Sequence, residues 1–283
     1  MKIVVIGGKG FIGTNLVEEL KKENEVYTYD RKDGQEALNY RQLYDFLEKI
    51  KPDLVYHLAN FPGHLESIKK PREFIHNNFV TTLNIAECAR HLEFKIVFAS
   101  SASVYGNQPV PWKEDMKPKI DSPYSFAKVI SEDLLKDYYE RYGVESIICR
   151  ISSPYGGKNE QSHKPIPILL DFIEKAKKRE KIVIYGLNRT RDFTHISDTI
   201  EGMILASKQK GFDIFNISCG KEYYFIDIAK KLAGDNYEVR PIEELNKDVP
   251  ERWLCDITKL KNLGFEPKID LMDYLDKIKN EMS

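Results

Sequence analysis

Tyr124 and Lys128 lie four residues apart in the run Ser122-Pro123-Tyr124-Ser125-Phe126-Ala127-Lys128, a spacing that puts both on one face of a helix. A free phenol titrates near ~10, and a fixed ammonium beside it favours the phenolate, so the pair is a candidate proton acceptor near neutral pH. The spacing alone is weak. A chain with 16 tyrosines and many lysines meets Tyr-x-x-x-Lys by chance, and a surface helix pair is the competing reading.

Two further groups of residues could do chemistry. Gly7-Gly8-Lys9-Gly10-Phe11-Ile12-Gly13 places glycines at G-x-x-G-x-x-G, just where an apolar strand pattern gives way to a helical one. Glycine permits a tight turn and close backbone approach, so a pyrophosphate can rest against the N–H groups and positive dipole of the following helix. Asp30 ends the next strand pattern, where a carboxylate accepts hydrogen bonds from an adenosine ribose. Its charge opposes a 2′-phosphate and favours NAD over NADP, a preference that the adjacent Arg31 tempers. A glycine turn with a surface aspartate is the alternative. The second group, Ser100-Ser101-Ala102-Ser103-Val104-Tyr105-Gly106, follows another strand pattern. Ligands of open parallel sheets bind beyond the carboxyl ends of the strands, so these hydroxyls are expected to face a cofactor; turn capping competes.

The elements that position these residues alternate strand and helix. Strands are expected at Lys2 to Ile6, Glu25 to Tyr29, Leu54 to Leu58, Lys95 to Ala99 and Ser146 to Cys149, all short and rich in β-branched or aromatic residues. Helical patterns separate them at Phe11 to Lys22, Tyr40 to Lys49, Pro71 to His91 and Tyr124 to Tyr142. This is the rhythm of βαβ units, hence an α/β fold with a parallel sheet. After Arg150 the rhythm changes, with glycine, proline and polar residues, then a helix and a strand at Ile182 to Tyr185. A strand at Asp213 to Ser218 is expected to rejoin the main sheet. Residues 1–150, with about 195–218, form the expected dinucleotide-binding domain; residues 151–194 and 219–283 form a smaller lobe.

Composition bounds the rest. A chain of 283 residues with 42% hydrophobic and 31% charged residues buries a full core and reads as soluble. A formal net charge of -1 gives no reason to expect nucleic acid or an anionic membrane as partner. The four cysteines, Cys88, Cys149, Cys219 and Cys255, are far apart, so neither a zinc site nor a disulfide framework is indicated and a cytoplasmic location is expected. The six histidines show no paired ligand spacing, so no metal is expected.

Taken together, these motifs resemble the extended short-chain dehydrogenase/reductases, and within them the nucleotide-sugar epimerases and reductases. The resemblance runs through Gly7-x-x-Gly10-x-x-Gly13, His57-Leu58-Ala59, Asn78, Ser100 to Gly106, Tyr124-x-x-x-Lys128, Pro154-Tyr155-Gly156, Arg191 to Asp198 and Asp256-Ile257-Thr258-Lys259. It implies an α/β fold with a Rossmann-type doubly wound parallel sheet and a smaller C-terminal substrate lobe, and NAD held by Gly7, Gly10, Phe11, Ile12, Gly13, Asp30, Leu58, Ala59 and Asn78, with Tyr124 and Lys128. Tyr124 would be the acid/base on a sugar hydroxyl, Lys128 would lower its pKa and bond the nicotinamide ribose, and Ser101 would bond the same sugar oxygen. Arg191 would hold the nucleotide diphosphate of the substrate. Ser103 and Ser153 would touch the sugar nucleotide, Ser153 standing where an asparagine is common. An arginine expected shortly before Asp248 is absent, and Arg252 is the nearby substitute. Asn60 stands where a small residue is usual. A homodimer through the helices Pro71 to His91 and Tyr124 to Tyr142 is the family's usual assembly.

The residues after Ser101 select among chemistries. Elimination of water across C5 and C6 needs its own acid and base, for which the family uses an Asp-Glu pair; here the positions are Ala102 and Ser103. Sugar-acid decarboxylases usually place a glutamate in this segment, and it has none. What the resemblance then implies is hydride transfer at C4, in a 4-epimerase of the UDP-galactose type, with a 4-keto-6-deoxysugar reductase as the alternative. A non-catalytic dinucleotide-binding regulator is the reading from a different class; sensing alone requires none of Ser101, Tyr124 and Lys128.

Overall fold

The computed structural model describes residues 1–162, 167–244 and 250–282. Five strands, β1 (Lys2–Ile6), β2 (Glu25–Tyr29), β3 (Leu54–His57), β4 (Lys95–Ser101) and β5 (Ser146–Ile151), join the strand Phe212–Ile217 in one sheet. The order across the sheet is Phe212–Ile217, β5, β4, β3, β1, β2, and every pairing is parallel. From β1 the chain steps outward to β2 and then returns to the other side of β1 for β3. Strand order therefore reverses between β1 and β3, where a doubly wound sheet opens a ligand crevice.

The helices α1 (Phe11–Leu20), α2 (Tyr40–Ile50), α3 (His64–Lys69), α4 (Pro71–Leu92), α5 (Pro123–Tyr142), α6 (Ile168–Lys177) and α7 (Ile196–Ser207) follow in chain order, with further helices at Phe225–Ala233, Thr258–Lys261 and Leu271–Met282. Both faces of the sheet are covered. Ile3 and Val5 face Leu16 of α1 and Met203 of α7, whereas Val4 and Ile6 face Leu43 of α2 and Ile85 of α4. Strands buried on two sides have no polar face, which is why their sequence reads as continuous apolar runs. Among the described residues no helix is long and apolar enough to cross a membrane.

Helix α5 starts sharply because Ser122 caps it. The Ser122 hydroxyl accepts from the Ser125 N–H, the Ser125 hydroxyl accepts in return from the Ser122 N–H, and Pro123 opens the first turn. That cap fixes the phase of the helix one turn before Lys128. A buried ion pair fixes its depth: Glu132, one turn beyond Lys128, meets Arg150 of β5 at 2.7 Å and accepts from the hydroxyl of Ser100 on β4. Arg150 also lies 4.8 Å from the centre of the Tyr105 ring.

A third core gathers Tyr155, Phe172, Ile182, Phe193, Phe225 and Leu275. Around it, Ile182–Tyr185 pairs with Tyr237–Arg240, and Thr190–Arg191 pairs antiparallel with Tyr223–Tyr224. One segment departs from the expected lobe. Trp253, Cys255, Ile257, Leu260 and Phe265 belong to the core of the main sheet. The Trp112 N–H donates to Leu254 O, and the Asp256 N–H donates to Trp112 O, each at 2.8 Å, which ties this late segment to the loop after β4.

Candidate active site

A cavity of about 990 Å³ runs past the carboxyl ends of β1, β3, β4 and β5 and on to residues of the third core. At its start, Gly7 has φ +87° and donates its N–H to Tyr29 O at 2.8 Å. A Cβ on Gly7 would lie 2.8 Å from Ala59 N, and one on Gly13 would lie 2.2 Å from Gly7 O. Glycine at 7 therefore lets the turn meet the segment after β3, and glycine at 13 lets α1 press against the turn. Helix α1 begins at Gly10 with no side-chain cap and no acidic residue in its first turn, an arrangement suited to phosphate oxygens.

Asp30 accepts from the Lys9 N–H and from the Lys32 N–H, each at 2.9 Å, and lines the cavity. Its two oxygens keep lone pairs for a further donor. Arg31 lies 4.9 Å from the Phe61 ring centre, beside the same cavity. Phe11, Ile12, Leu58 and Ala59 also lie on the wall. A dinucleotide fits this half of the cavity on three counts: a cradle that any Cβ would fill, an uncapped helix start, and a carboxylate held in place by two backbone donors.

Asn78 departs from the expectation. Its side chain is fully buried off the wall, accepting from the Phe61 N–H at 2.7 Å and donating to Phe61 O at 3.1 Å. Both ends of its amide are used to hold the backbone after β3, so Asn78 positions the wall and does not belong to it.

Ser101, Tyr124 and Lys128 share the wall. The Ser101 hydroxyl accepts from the Ser103 N–H at 3.2 Å. Lys128 donates to Ala99 O and lies 4.7 Å from the Phe98 ring centre and 5.7 Å from that of Tyr124. The electrostatics run against expectation. Burial pushes the Tyr124 phenol above its ordinary value, with Ser101 pulling the other way. Burial pulls Lys128 down to about 7, with the Glu132 carboxylate opposing. The physical reason is desolvation: the pocket that brings the two groups together removes the water that would stabilise phenolate and ammonium alike.

At the far end two guanidiniums meet. Arg189 immediately precedes the short strand Thr190–Arg191, and Arg189 and Arg191 both line the cavity. Arg191 stacks 4.0 Å from the Trp253 ring centre, and Arg189 lies 5.1 Å from that of Phe225. Arg191 Nη1 and Arg189 Nε are shielded and have no hydrogen-bond partner, and neither residue has an ion pair among the described residues. Burial, then the charge of Arg189, holds Arg191 down to about 9, while Asp121 opposes. Two desolvated cations facing one cavity call for an anion with two charges. Arg189 escaped the sequence reading because its segment reads as loop; the signal was Arg-Thr-Arg, alternating like a strand.

Arg252 departs from the expectation in the opposite sense. It is exposed and off the wall, forked onto Glu222 at 2.9 and 2.7 Å, whereas its neighbour Trp253 lines the cavity. The stretch before Asp248 lies outside the described residues. Ser103 and Ser153 are on the wall. The Ser103 hydroxyl is shielded without a partner, and Ser153 sits at φ +24° with its carbonyl accepting from the Thr194 N–H at 3.2 Å.

Two wall residues gave no sequence signal. His64 opens the short helix α3, and its Nδ1 lies 3.5 Å from Asp121 on the loop before α5. The Ser67 hydroxyl, which donates to His64 O at 2.6 Å, accepts from the Tyr124 N–H at 3.1 Å. His195, by contrast, caps α7: its Nδ1 accepts from the Ser197 N–H at 3.3 Å.

Comparison with known proteins agrees with this geometry. The family described as NAD dependent epimerase/dehydratase matches residues 3–218. A putative UDP-glucose 4-epimerase of Methanocaldococcus jannaschii is 32% identical, over 99% of this chain and 98% of its own length. UDP-glucuronic acid decarboxylase 5 of Arabidopsis thaliana is 28% identical, over 97% of this chain and 87% of its own. The crystal structure of UDP-glucose 4-epimerase with UDP-glucose from Thermotoga maritima matches with a TM-score of 0.90 at 25% identity, covering 100% of this chain and 98% of that one.

Proposed function

We propose that the chain, which belongs to the NAD-dependent epimerase/dehydratase family, inverts the C4 hydroxyl of a nucleoside-diphosphate hexose, UDP-glucose being the first substrate to test. One observation carries this reading. A single cavity brings Ser101, Tyr124 and Lys128 together with the unpaired arginines Arg189 and Arg191, so a proton-handling centre and a dianion site share one space.

The arginine pair binds the diphosphate and fixes the reach of the sugar. At the other end Ser101 and Tyr124 bracket the C4 oxygen, and Tyr124 takes its proton as C4 is oxidised and returns it as C4 is reduced. NAD, when bound, would supply the hydride acceptor and a positive charge. That charge matters because burial leaves the Tyr124 phenol above its ordinary value. Lys128, anchored by Ala99 O, is placed to bond a ribose hydroxyl and steady the phenolate.

Epimerisation further requires that the keto-sugar turn over before the hydride comes back. Ala102 and Ser103 bring no second acid or base next to Ser101, which argues for plain carbonyl/alcohol chemistry. The test is incubation of the enzyme and catalytic NAD with UDP-glucose, UDP-N-acetylglucosamine and UDP-glucuronate in turn. Appearance of the C4 epimer without net change in cofactor redox state supports the reading. Release of carbon dioxide from UDP-glucuronate, or turnover only of a 4-keto sugar with stoichiometric consumption of reduced cofactor, sinks it.

A further inference from the structure

Asp121 is a carboxylate on the cavity wall to which hydride transfer gives no part. It stands three residues before Tyr124, and Ser125 holds it there. The Ser125 hydroxyl accepts from the Asp121 N–H at 3.2 Å and donates to Asp121 Oδ1 at 2.9 Å. The carboxylate is thereby fixed to the first turn of the helix that carries Tyr124. Its charge also reaches the other end of the site, where it opposes the fall of Arg191. Asp121 therefore flanks the stretch that a hexose spans when its diphosphate lies on Arg189 and Arg191 and its C4 lies at Tyr124.

Little offsets that charge. Among the described residues the ion pair of Asp121 is with His64, whose Nδ1 lies 3.5 Å away, longer than a firm hydrogen bond. Arg191, the cation at the far end, is committed to the diphosphate. Burial raises the Asp121 carboxyl above its usual value, with His64 opposing, so the anion gains from any hydroxyl that donates to it. The side chain is 10% exposed and lines the cavity, so a ligand there can meet it. A neutral hexose brings hydroxyl donors to such an acceptor. A hexuronate brings a second carboxylate into the same enclosed space, and like charges placed together reject a ligand.

We propose that Asp121 selects neutral hexoses over hexuronates, accepting from a sugar hydroxyl and repelling a carboxylate at C6. The inference rests on the nucleoside-diphosphate hexose reading and narrows its substrate class.

The experiment titrates NAD-loaded wild type and Asp121→Asn calorimetrically with UDP-glucose, UDP-glucuronate and UDP, at about pH 8, well above the carboxylate range. Wild type should bind UDP-glucuronate about tenfold to a hundredfold more weakly than UDP-glucose, the effect of one like-charge pair several ångströms apart. Asparagine keeps the shape of the side chain without its charge, and should bring the two affinities together, chiefly by a gain for UDP-glucuronate. UDP, which has no sugar, reports any change at the diphosphate that both ligands share. Equal affinity of wild type for the two sugars overturns the inference whether or not the variant folds. A variant that keeps the wild-type preference overturns it as well. Preference for UDP-glucose without formation of its epimer would support the inference and overturn the 4-epimerase step alone. Failure of wild type to bind UDP-glucose would overturn the nucleotide-sugar reading and the inference with it.

Discussion

Removing the charge of Arg191 should move ligand binding and stability in opposite directions. The guanidinium stacks on Trp253 at 4.0 Å, has a shielded nitrogen without a partner, and lines the cavity with Arg189. Burial and that neighbour hold it down to about 9, so the ligand-free protein carries an electrostatic cost there. Arg191→Met deletes the charge and the guanidinium while keeping an unbranched apolar stem beside the indole. A charge-assisted hydrogen bond to a phosphate contributes ~1.5–3 kcal/mol. UDP should therefore bind the variant about tenfold to a hundredfold more weakly. Uridine, which lacks the diphosphate, should bind as it does to wild type. Without nucleotide the variant should melt at the same temperature or a few degrees higher, since ~1 kcal/mol corresponds to roughly 2–4 °C in a chain of this size. Calorimetric titration with both ligands and a thermal scan supply the three values. Unchanged UDP affinity, or equal losses for UDP and uridine, would refute the reasoning.

Other expectations follow from the same geometry. Tyr124→Phe should keep NAD binding and lose about 10²–10⁴ in turnover, the range for a positioned acid/base; near-normal rates in a steady-state assay would reject its role. Lys128 has a folded pKa of about 7 against an ordinary 10.5, so above pH 7 the unfolded chain binds more protons than the folded one. Ligand-free stability should then rise between about pH 7 and 10.5 through this group, with no contribution to the slope below 7, and Lys128→Met should flatten that rise in urea titrations. Glu132→Gln strands the buried Arg150 guanidinium and should cost ~3–5 kcal/mol in urea unfolding. A loss under 1 kcal/mol would show that water reaches the pair.

Much of the fold was legible because its strands are buried on both faces. β1 spans Lys2–Ile6 and β2 spans Glu25–Tyr29, the bounds expected from their sequence patterns. β4 was read two residues short, since Ser100 and Ser101 pair with Arg150 and Ile151 although neither looks like strand. Helix α3 was missed, six residues being too few for an apolar period to show. Its loss hid His64, whose link to Asp121 joins segments far apart in sequence.

In the site, local motifs were readable and long-range pairings were not. The glycines, Asp30, Ser101, Tyr124 and Lys128 follow from short spacings, and all line one cavity. Arg252 looked available for a ligand until Glu222, 30 residues away, met it. Arg189 looked like loop until Tyr223–Tyr224 paired with the segment beside it. The sign of the Tyr124 shift depends on desolvation, a property of the folded cavity that no four-residue spacing encodes.

The central claim is that one hydride leaves C4 and returns to C4 of the same sugar. UDP-glucose carrying deuterium at C4, incubated with the enzyme and catalytic NAD in ordinary water, tests this directly by NMR of the products. The account predicts a mixture of C4 epimers that both retain deuterium at C4. Absence of the epimer, or an epimer with hydrogen from solvent at C4, would contradict it.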